Sequence, residues 1–350
     1  VTRFDLRRNA FERFSHNHDV PGSLGDNRVR DVIEDARGTI WVATDQGIAE
    51  WRAANRSFTH YTHNDSDMRS LAGDRVNKLF VDASGVLWIG TWDGISRWNY
   101  FSDTFTYYRA EDGLLSGNVV TSVGETSDGT LWIGTYGTGL SQLNLVSGET
   151  RTYQNIPDAP DSLPDNRVMT VHVDKQDQVW VGTRSAGLAR LDRKADRFVR
   201  YVNDPEQSDS LRGNAITSIH ADAEGSLWVG TYGAGLNRLL PDSGTFEHYR
   251  HDPQVPTSLS SDQVLTVFAD RDGTLWIGTD GEGLNKFDPT AEASLRFAEF
   301  ALDASLNPGA SAFASATGTL VLAPVTDLLQ DRTGALWIGP LGPGRVRWAQ

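Results

Sequence analysis

Residues 258–284 read SLSSDQVLTVFADRDGTLWIGTDGEGL, and the fold follows from how that string is punctuated. Working outward from Trp276, the run Leu275-Trp276-Ile277 is apolar without alternation and ends in Gly278-Thr279. A strand of that kind is buried on both faces. Before it stands an aliphatic stretch beginning at Val264, divided from the Trp run by Asp270 and, three residues on, Gly273. Two short apolar runs around an Asp-x-x-Gly turn read as a β-hairpin. After it, the glycines of residues 281–283 turn the chain again.

The string recurs. Its tryptophan is found at Trp41, Trp88, Trp132, Trp180, Trp228, Trp276 and Trp337, with successive separations of 47, 44, 48, 48, 48 and 61 residues. Self-similarity at this period marks a repeat architecture. The flanking positions recur with it, as in Val76/Asp82/Gly85 and Ile216/Asp222/Gly225. Thr126 stands in the Asp position of the third copy and Asp177 in the Gly position of the fourth. A Ser-Leu pair opens the return, at Ser70-Leu71, Ser162-Leu163, Ser210-Leu211 and Ser258-Leu259. Each copy holds four short strands, A to D. In the second copy they are predicted at Val76–Asp82, Leu87–Thr91, Gly94–Asn99 and Phe105–Tyr108. No stretch sustains a 3.6-residue period, so helix content is expected to be very low.

Seven four-stranded antiparallel units predict an all-β chain: one seven-bladed β-propeller over 1–350. The Trp-motif strands are expected at 40–44, 87–91, 131–135, 179–183, 227–231, 275–279 and 336–339. Closure is expected from an N-terminal hairpin, Thr2–Leu6 with Phe11–Phe14, supplying the outer half of a blade whose inner strands lie in Val325–Gly339. That leaves one C strand redundant, either Thr2–Leu6 or Arg345–Trp348. The small-residue segment 303–319 reads as a surface insertion.

Composition narrows the function classes. The 350 residues include no cysteine, which excludes disulfides and thiolate metal sites. A formal net charge of -14 disfavours nucleic acid as a partner. No apolar run reaches the ~20 residues that span a bilayer, so no membrane contact is expected of this domain. With no leader-like segment and Val1 at the start, the chain reads as a trimmed piece of a longer protein. No cofactor is expected.

The combination Ser-Leu-x-x-x-x-Val…Asp-x-x-Gly-x-Leu-Trp-Ile-Gly-Thr…Gly-Gly-Leu resembles the two-component regulator propeller repeat, best at Ser258–Leu284 and nearly as well at Ser210–Leu236. The resemblance covers almost the whole chain. The seventh copy departs from it, with Pro340 in place of Thr and Gly-Pro-Gly after Leu341. In that family the repeats form extracytoplasmic sensor domains of membrane-spanning bacterial signalling proteins. Their output is a histidine kinase or a diguanylate cyclase, and two propellers often stand in tandem. The resemblance therefore implies a periplasmic or extracellular sensing ectodomain, with a second propeller or a homodimer partner in the full-length protein.

Where the copies differ, the scaffold is not dictating the choice. The residue after Thr in the B–C loop is Asp45, Trp92, Tyr136, Arg184, Tyr232, Asp280 and Leu341. A second ring precedes strand A: Asn27-Arg28, Asp74-Arg75, Asn118, Asn166-Arg167, Asn214 and Asp262-Gln263. Aromatic faces beside Arg, Asn, Gln and Asp suit a small polar ligand or an oligosaccharide at the channel mouth. The alternative for the Asn/Asp series is a turn cap into strand A. His172 and His220 occupy equivalent positions in adjacent repeats. They are read as hydrogen-bonded core residues, because no third metal ligand accompanies them. His60 and His248 are read as solvent-facing. The Asp-x-x-Gly turns have the spacing of calcium loops, but recurrence in nearly every repeat reads as a structural turn. No Gly-x-Ser-x-Gly, phosphate loop or His-Glu-x-x-His motif is present, so no catalytic residue is expected. A propeller lyase or glycosidase is the enzyme alternative, and it would need a His or paired carboxylates converging at the channel mouth, as Asp45, Asp74, Asp262 and Asp280 could do. A protein-interaction platform is the remaining alternative.

Overall fold

The computed structural model describes residues 1–8, 10–241, 243–280, 283–288, 297–299 and 324–340. They form seven four-stranded antiparallel sheets. Blade 1 comprises Val29–Glu34, Ile40–Thr44, Gly47–Arg52 and Ser57–Tyr61. Blade 2 comprises Val76–Val81, Leu87–Thr91, Gly94–Asn99 and Thr104–Tyr108. Blade 3 comprises Val120–Thr126, Thr130–Thr135, Gly139–Asn144 and Thr150–Tyr153. Blade 4 comprises Val168–Val173, Val179–Thr183, Leu188–Asp192 and Arg197–Tyr201. Blade 5 comprises Ile216–Ala221, Leu227–Thr231, Gly235–Leu239 and Phe246–Tyr249. Blade 6 comprises Val264–Ala269, Leu275–Thr279, Leu284–Phe287 and Phe297–Glu299. The ring closes in blade 7, where Val325–Gln330 and Leu336–Pro340 are completed by Thr2–Asp5 and Ala10–Arg13. Thr2 pairs with Ile338, Arg3 with Trp337 and Phe4 with Leu336. Thr2–Asp5 is therefore the working C strand. Arg345–Trp348 and the 303–319 segment lie outside the described residues. The one helical element described is a single 3-10 turn, Ala110–Asp112.

Each tryptophan holds two blades together. Trp41 packs with Leu79 and Leu87, Trp88 with Val120 and Val123, and Trp132 with Val168 and Val171. The pattern continues through Trp180 on Ile216, Trp228 on Val264, Trp276 on Val325 and Trp337 on Val29. Truncating such a side chain costs about 3–5 kcal/mol. The glycine after the motif serves the same seam. A Cβ at Gly182 would lie 2.5 Å from Ile216 Cγ2, and one at Gly90 2.6 Å from Val120 Cγ1.

The Asp-x-x-Gly turn is tied to its own tryptophan. In blade 1 Asp35 Oδ1 accepts the N–H groups of Arg37 and Thr39 at 2.9 Å, and Oδ2 accepts Trp41 Nε1–H at 3.0 Å. The carboxylate–indole bond recurs at 2.8 Å in blades 2 and 7 and at 2.9 Å in blades 4, 5 and 6. In blade 3 Thr126 Oγ1 takes the indole N–H at 3.2 Å and donates to Asp128 at 2.7 Å, so the carboxylate sits two residues later. Asp177, which replaces glycine, adopts φ 59°, a left-handed conformation that Asp tolerates better than most residues. The recurring turn is thus structural.

Candidate functional site

The B–C and D–A loops share one face of the ring, here the front, because alternate strands of an antiparallel blade run in opposite directions. The two predicted rings meet there. Within a blade, the B–C loop residue donates its backbone N–H to the carbonyl of the residue preceding strand A. The pairs are Trp92 to Arg75, Tyr136 to Val119, Arg184 to Arg167, Tyr232 to Ala215 and Asp280 to Gln263. Tyr136 and Tyr232 form isolated bridges with Arg167 and Gln263.

The side chains then diverge. The Arg75 guanidinium lies over the Trp92 ring, 3.6 Å from its centroid, and Trp92 Nε1–H donates to Asn77 Oδ1 at 3.0 Å. Asp45 accepts from Arg30 at 2.6 Å and from Arg28 at 3.4 Å. Burial pushes the Asp45 carboxyl up, but these two arginines outweigh it and hold its pKa below the ordinary value. The Tyr232 hydroxyl donates to Asp280 Oδ2 at 3.0 Å, joining blades 5 and 6 and raising the tyrosine's pKa. Arg167 is occupied by Asp165 and Ser185. Arg184 is exposed and makes no side-chain hydrogen bond or ion pair among the described residues. Trp92, Tyr136 and Tyr232 are 38, 42 and 50% exposed, so three aromatic faces are presented to solvent. Leu341 lies outside the described residues.

The Asn/Asp series behaves differently. The side-chain oxygens of Asn27, Asp74, Asn118, Asn166, Asn214 and Asp262 each accept a backbone N–H from their own D–A loop, at 2.6–2.8 Å. The backbone carbonyls of Asp74, Asn118, Asn166, Asn214 and Asp262 accept from the preceding blade, as Gly94 N–H to Asn118 and Gly187 N–H to Asn214. Asn118 and Asn214 therefore cap turns and stitch blades. Asp74 and Asp262 are committed to these loop amides, Asp45 to Arg28 and Arg30, and Asp280 to the Tyr232 hydroxyl.

Behind this ring runs the channel, a cavity of about 420 Å³ walled by the A strands of all seven blades. Arg30 and Asn77, which hold Asp45 and Trp92, belong to its wall. The sequence reading missed what lies deeper. The residue two positions into strand A is Asp31, Lys78, Ser122, Thr170, Ser218, Thr266 and Asp327 around the ring. Most of these bind the next blade: Asp31 accepts Leu79 N–H at 2.5 Å, Ser122 accepts Val171 N–H at 2.9 Å, and Asp327 accepts Val32 N–H at 2.8 Å. Lys78 Nζ lies 2.8 Å from Asp31 Oδ1. Burial works against its charge, but Asp31 and Asp327 outweigh this and keep it protonated. Burial, then the neighbouring Asp31, push Asp327 well above the usual carboxylate range. The signal that could have found this trio was the charged residue at a fixed offset in three copies where the others have Ser or Thr.

Two histidine expectations need correction. His172 Nε2 is buried and has no hydrogen-bond partner, so this is not a hydrogen-bonded core histidine. Its ring lies 6.3 Å from that of His220. Burial, with His220 beside it, lowers the His172 pKa to about 4. Among the described residues no third His, Asp or Glu joins the pair as a metal ligand set. His248 is half-buried, binding Asn237 Oδ1 at 2.9 Å and the Ser208 carbonyl at 3.1 Å, because it fills the seam under a D–A loop. His60 is exposed, as expected. No described helix is long and apolar enough to cross a membrane.

Comparison with solved structures agrees with this fold. The extracellular domain of the putative hybrid two-component system BT3049 from B. thetaiotaomicron superposes with a TM-score of 0.71 at 23% identity. The match covers 92% of this chain but only 40% of that one, so the present chain spans well under half of its relative. A catalytically inactive virginiamycin B lyase from Staphylococcus aureus with quinupristin aligns at TM-score 0.59 and 13% identity, covering 89% of this chain and 95% of that one. PorZ, a surface component of the type-IX secretion system of Porphyromonas gingivalis, aligns at 0.58 and 19%, covering 81% and 40%. No curated protein matches the sequence. The family described as two component regulator propeller matches residues 23–46, 70–93, 114–137, 162–185, 210–233 and 258–281, six of the seven repeats. The chain belongs to the two-component regulator propeller repeats.

Proposed function

We propose that this propeller is a non-catalytic, extracytoplasmic ligand-sensing domain of a bacterial transmembrane signalling protein, and that a small polar ligand or an oligosaccharide binds at the front mouth of the channel. The observation that carries the site is the grouping there of exposed aromatic faces, the Arg75–Trp92 stack and the unpaired Arg184. Aromatic faces take the apolar side of a sugar ring or a small acid, and guanidinium forks take its oxygens. The matched repeat family supports a sensing role. Signalling would follow from a ligand that favours one packing of this face against a second propeller or protomer.

The test is a thermal-shift screen against oligosaccharides, amino acids and small organic acids. A ligand at about 100 times its Kd adds roughly 2.7 kcal/mol of stability. A hit lost in Trp92→Ala and in Arg184→Ala supports the site. A hit that survives both overturns it. The 38–50% exposure of Trp92, Tyr136 and Tyr232 also favours a second reading, in which this face docks a protein. No hit across the panel, together with an oligomeric state that changes in Trp92→Ala, would favour that reading.

A further inference from the structure

The rear face, formed by the A–B and C–D turns, has seven seams, and at five of them, between blades 1 and 2, 2 and 3, 3 and 4, 6 and 7, and 7 and 1, one of two devices fills the gap from within. One is the residue that follows strand C, three positions beyond the partner of the motif tryptophan. In blade 2 the partner of Trp88 is Arg97, and the residue three on is Tyr100. Tyr100 lies back over blade 1, donating its hydroxyl to Asp35 Oδ2 at 3.3 Å beneath the Arg37 guanidinium, 3.9 Å from its ring centroid. In blade 4 the partner of Trp180 is Arg190, and three on stands Arg193. Arg193 reaches back to the Asp128 carboxylate, with its guanidinium 5.8 Å from the Trp132 ring centroid. The second device is the sixth residue of strand A, five positions beyond its first. Glu125 accepts Ala83 N–H of the preceding blade at 2.6 Å, Gln330 accepts Arg271 N–H at 3.0 Å, and Glu34 accepts Arg332 N–H at 2.8 Å.

Both devices are missing between blades 4 and 5. The partner of Trp228 is Arg238, and three on stands Pro241, too short to reach back. The strand A position is Ala221, which has no acceptor. What remains is a cavity of about 400 Å³, within the range of small-molecule sites. Leu227, Leu239 and Pro241 line one side, and Trp180 and Tyr201 the other. At its edge Asp174 Oδ2 takes the Trp180 indole N–H at 2.9 Å, the arrangement that in blade 1 leaves the equivalent oxygen accepting Tyr100. Arg190 stands beside it, as Arg37 stands over Tyr100.

We propose that the rear cavity between blades 4 and 5 is a binding site for a phenolic ring, which takes the place that Tyr100 fills between blades 1 and 2. The ring packs against the apolar wall, and its hydroxyl donates to the Asp174 carboxylate. The site lies on the opposite face from the channel mouth and is independent of the ligand sensed there. Arg193 shows that a guanidinium is accepted at a sister seam, but there the carboxylate belongs to Asp128, two residues later in the turn. Of the two seams filled by the residue after strand C, the one with a motif aspartate and an indole is filled by a phenol.

The test is titration of the full chain with p-cresol, followed by tryptophan fluorescence and saturation-transfer NMR, with toluene as the ring lacking the donor. Saturable p-cresol binding is expected, at least about tenfold tighter than toluene, the discrimination expected of one hydrogen bond to a carboxylate. Two variants copy fillings the protein already uses: Pro241→Tyr reproduces Tyr100, and Ala221→Gln reproduces Gln330. Each is expected to abolish binding without lowering the Tm. Equal affinity for p-cresol and toluene, no saturable p-cresol binding, or binding that survives both folded variants would each overturn the proposal.

Discussion

The channel wall has two sides that solve one problem differently. On the closing side, blades 7, 1 and 2 place Asp327, Asp31 and Lys78 where blades 3 and 5 use serine. On the far side, strand A of blades 4 and 5 carries the half-buried pair His172 and His220. Both sides use strand A to bind the next blade, and Ser122 shows that a neutral hydroxyl suffices. The closing side has instead drawn ionisable groups partly out of water, with Asp31 buried and Lys78 and Asp327 half-buried, where each is favourable only while its partners remain. Where the ring is sealed by strands from opposite ends of the chain, the stitch has become conditional on charge. The two sides should therefore fail under opposite conditions.

The largest difference should appear when one member of the trio is removed. Lys78→Met leaves Asp31 without its cation, and a denaturant melt should show a loss of about 3 kcal/mol, the lower end of the range for a broken buried pair because Lys78 is 34% exposed. Converting the side to the pattern of the other blades, with Asp31→Ser, Lys78→Thr and Asp327→Ser together, should recover most of that loss. If Lys78→Met costs no more than a surface substitution, the two sides do not differ in their dependence on charge.

The histidine side should fail in acid. The His172 pKa falls from 6.5 to about 4 on folding, so the unfolded chain binds the proton first. The stability this group contributes is present above pH 6.5 and is lost as the pH falls towards 4, by up to about 3 kcal/mol. His172→Phe, which copies Phe268 and Phe80 at the same position, should remove that acid loss. Asp327 works in the other direction. Its folded pKa is raised, so its contribution is present below the unfolded value and is lost as the pH rises through the folded one. Asp327→Asn should flatten the fall in stability that sets in as the pH rises above the ordinary Asp value, by at most about 1.4 kcal/mol per pH unit for one proton. Identical pH profiles for the wild type and both variants would erase the contrast between the two sides.

The sequence made the fold legible because its signals are local and repeated. The Trp run, the Asp-x-x-Gly turn and the Ser-Leu return each satisfy themselves within one repeat or against the next, so each copy confirms the others. Even the exceptions obey the same physics, as Asp177 at φ 59° and the Thr126–Asp128 relay show. The ring of B–C loop residues could be placed, but not its partners: nothing in one copy says that Arg75 lies over Trp92 or that Arg184 stays unpaired. The Asp31–Lys78–Asp327 trio was harder still, because its members lie in three repeats and meet only when the ring closes. His172 was misread for a related reason. A hydrogen-bond partner is a property of the neighbouring blade, and blade 5 offers that nitrogen none.

The smallest effect is the most direct test of what the neutral stitches contribute. Ser122 Oγ accepts Val171 N–H at 2.9 Å and donates to the Val171 carbonyl at 3.3 Å, joining blade 3 to blade 4. Ser122→Ala removes both bonds and should cost about 1 kcal/mol, less than the loss of Lys78 because no charge is left behind. The stitch is local, so its loss should appear first in hydrogen exchange. The Val171 amide should exchange about fivefold to tenfold faster in the variant, while amides in the closing blade keep their protection. If protection falls equally around the ring, the stitch is part of a single cooperative closure, and the two sides of the channel are coupled rather than independent.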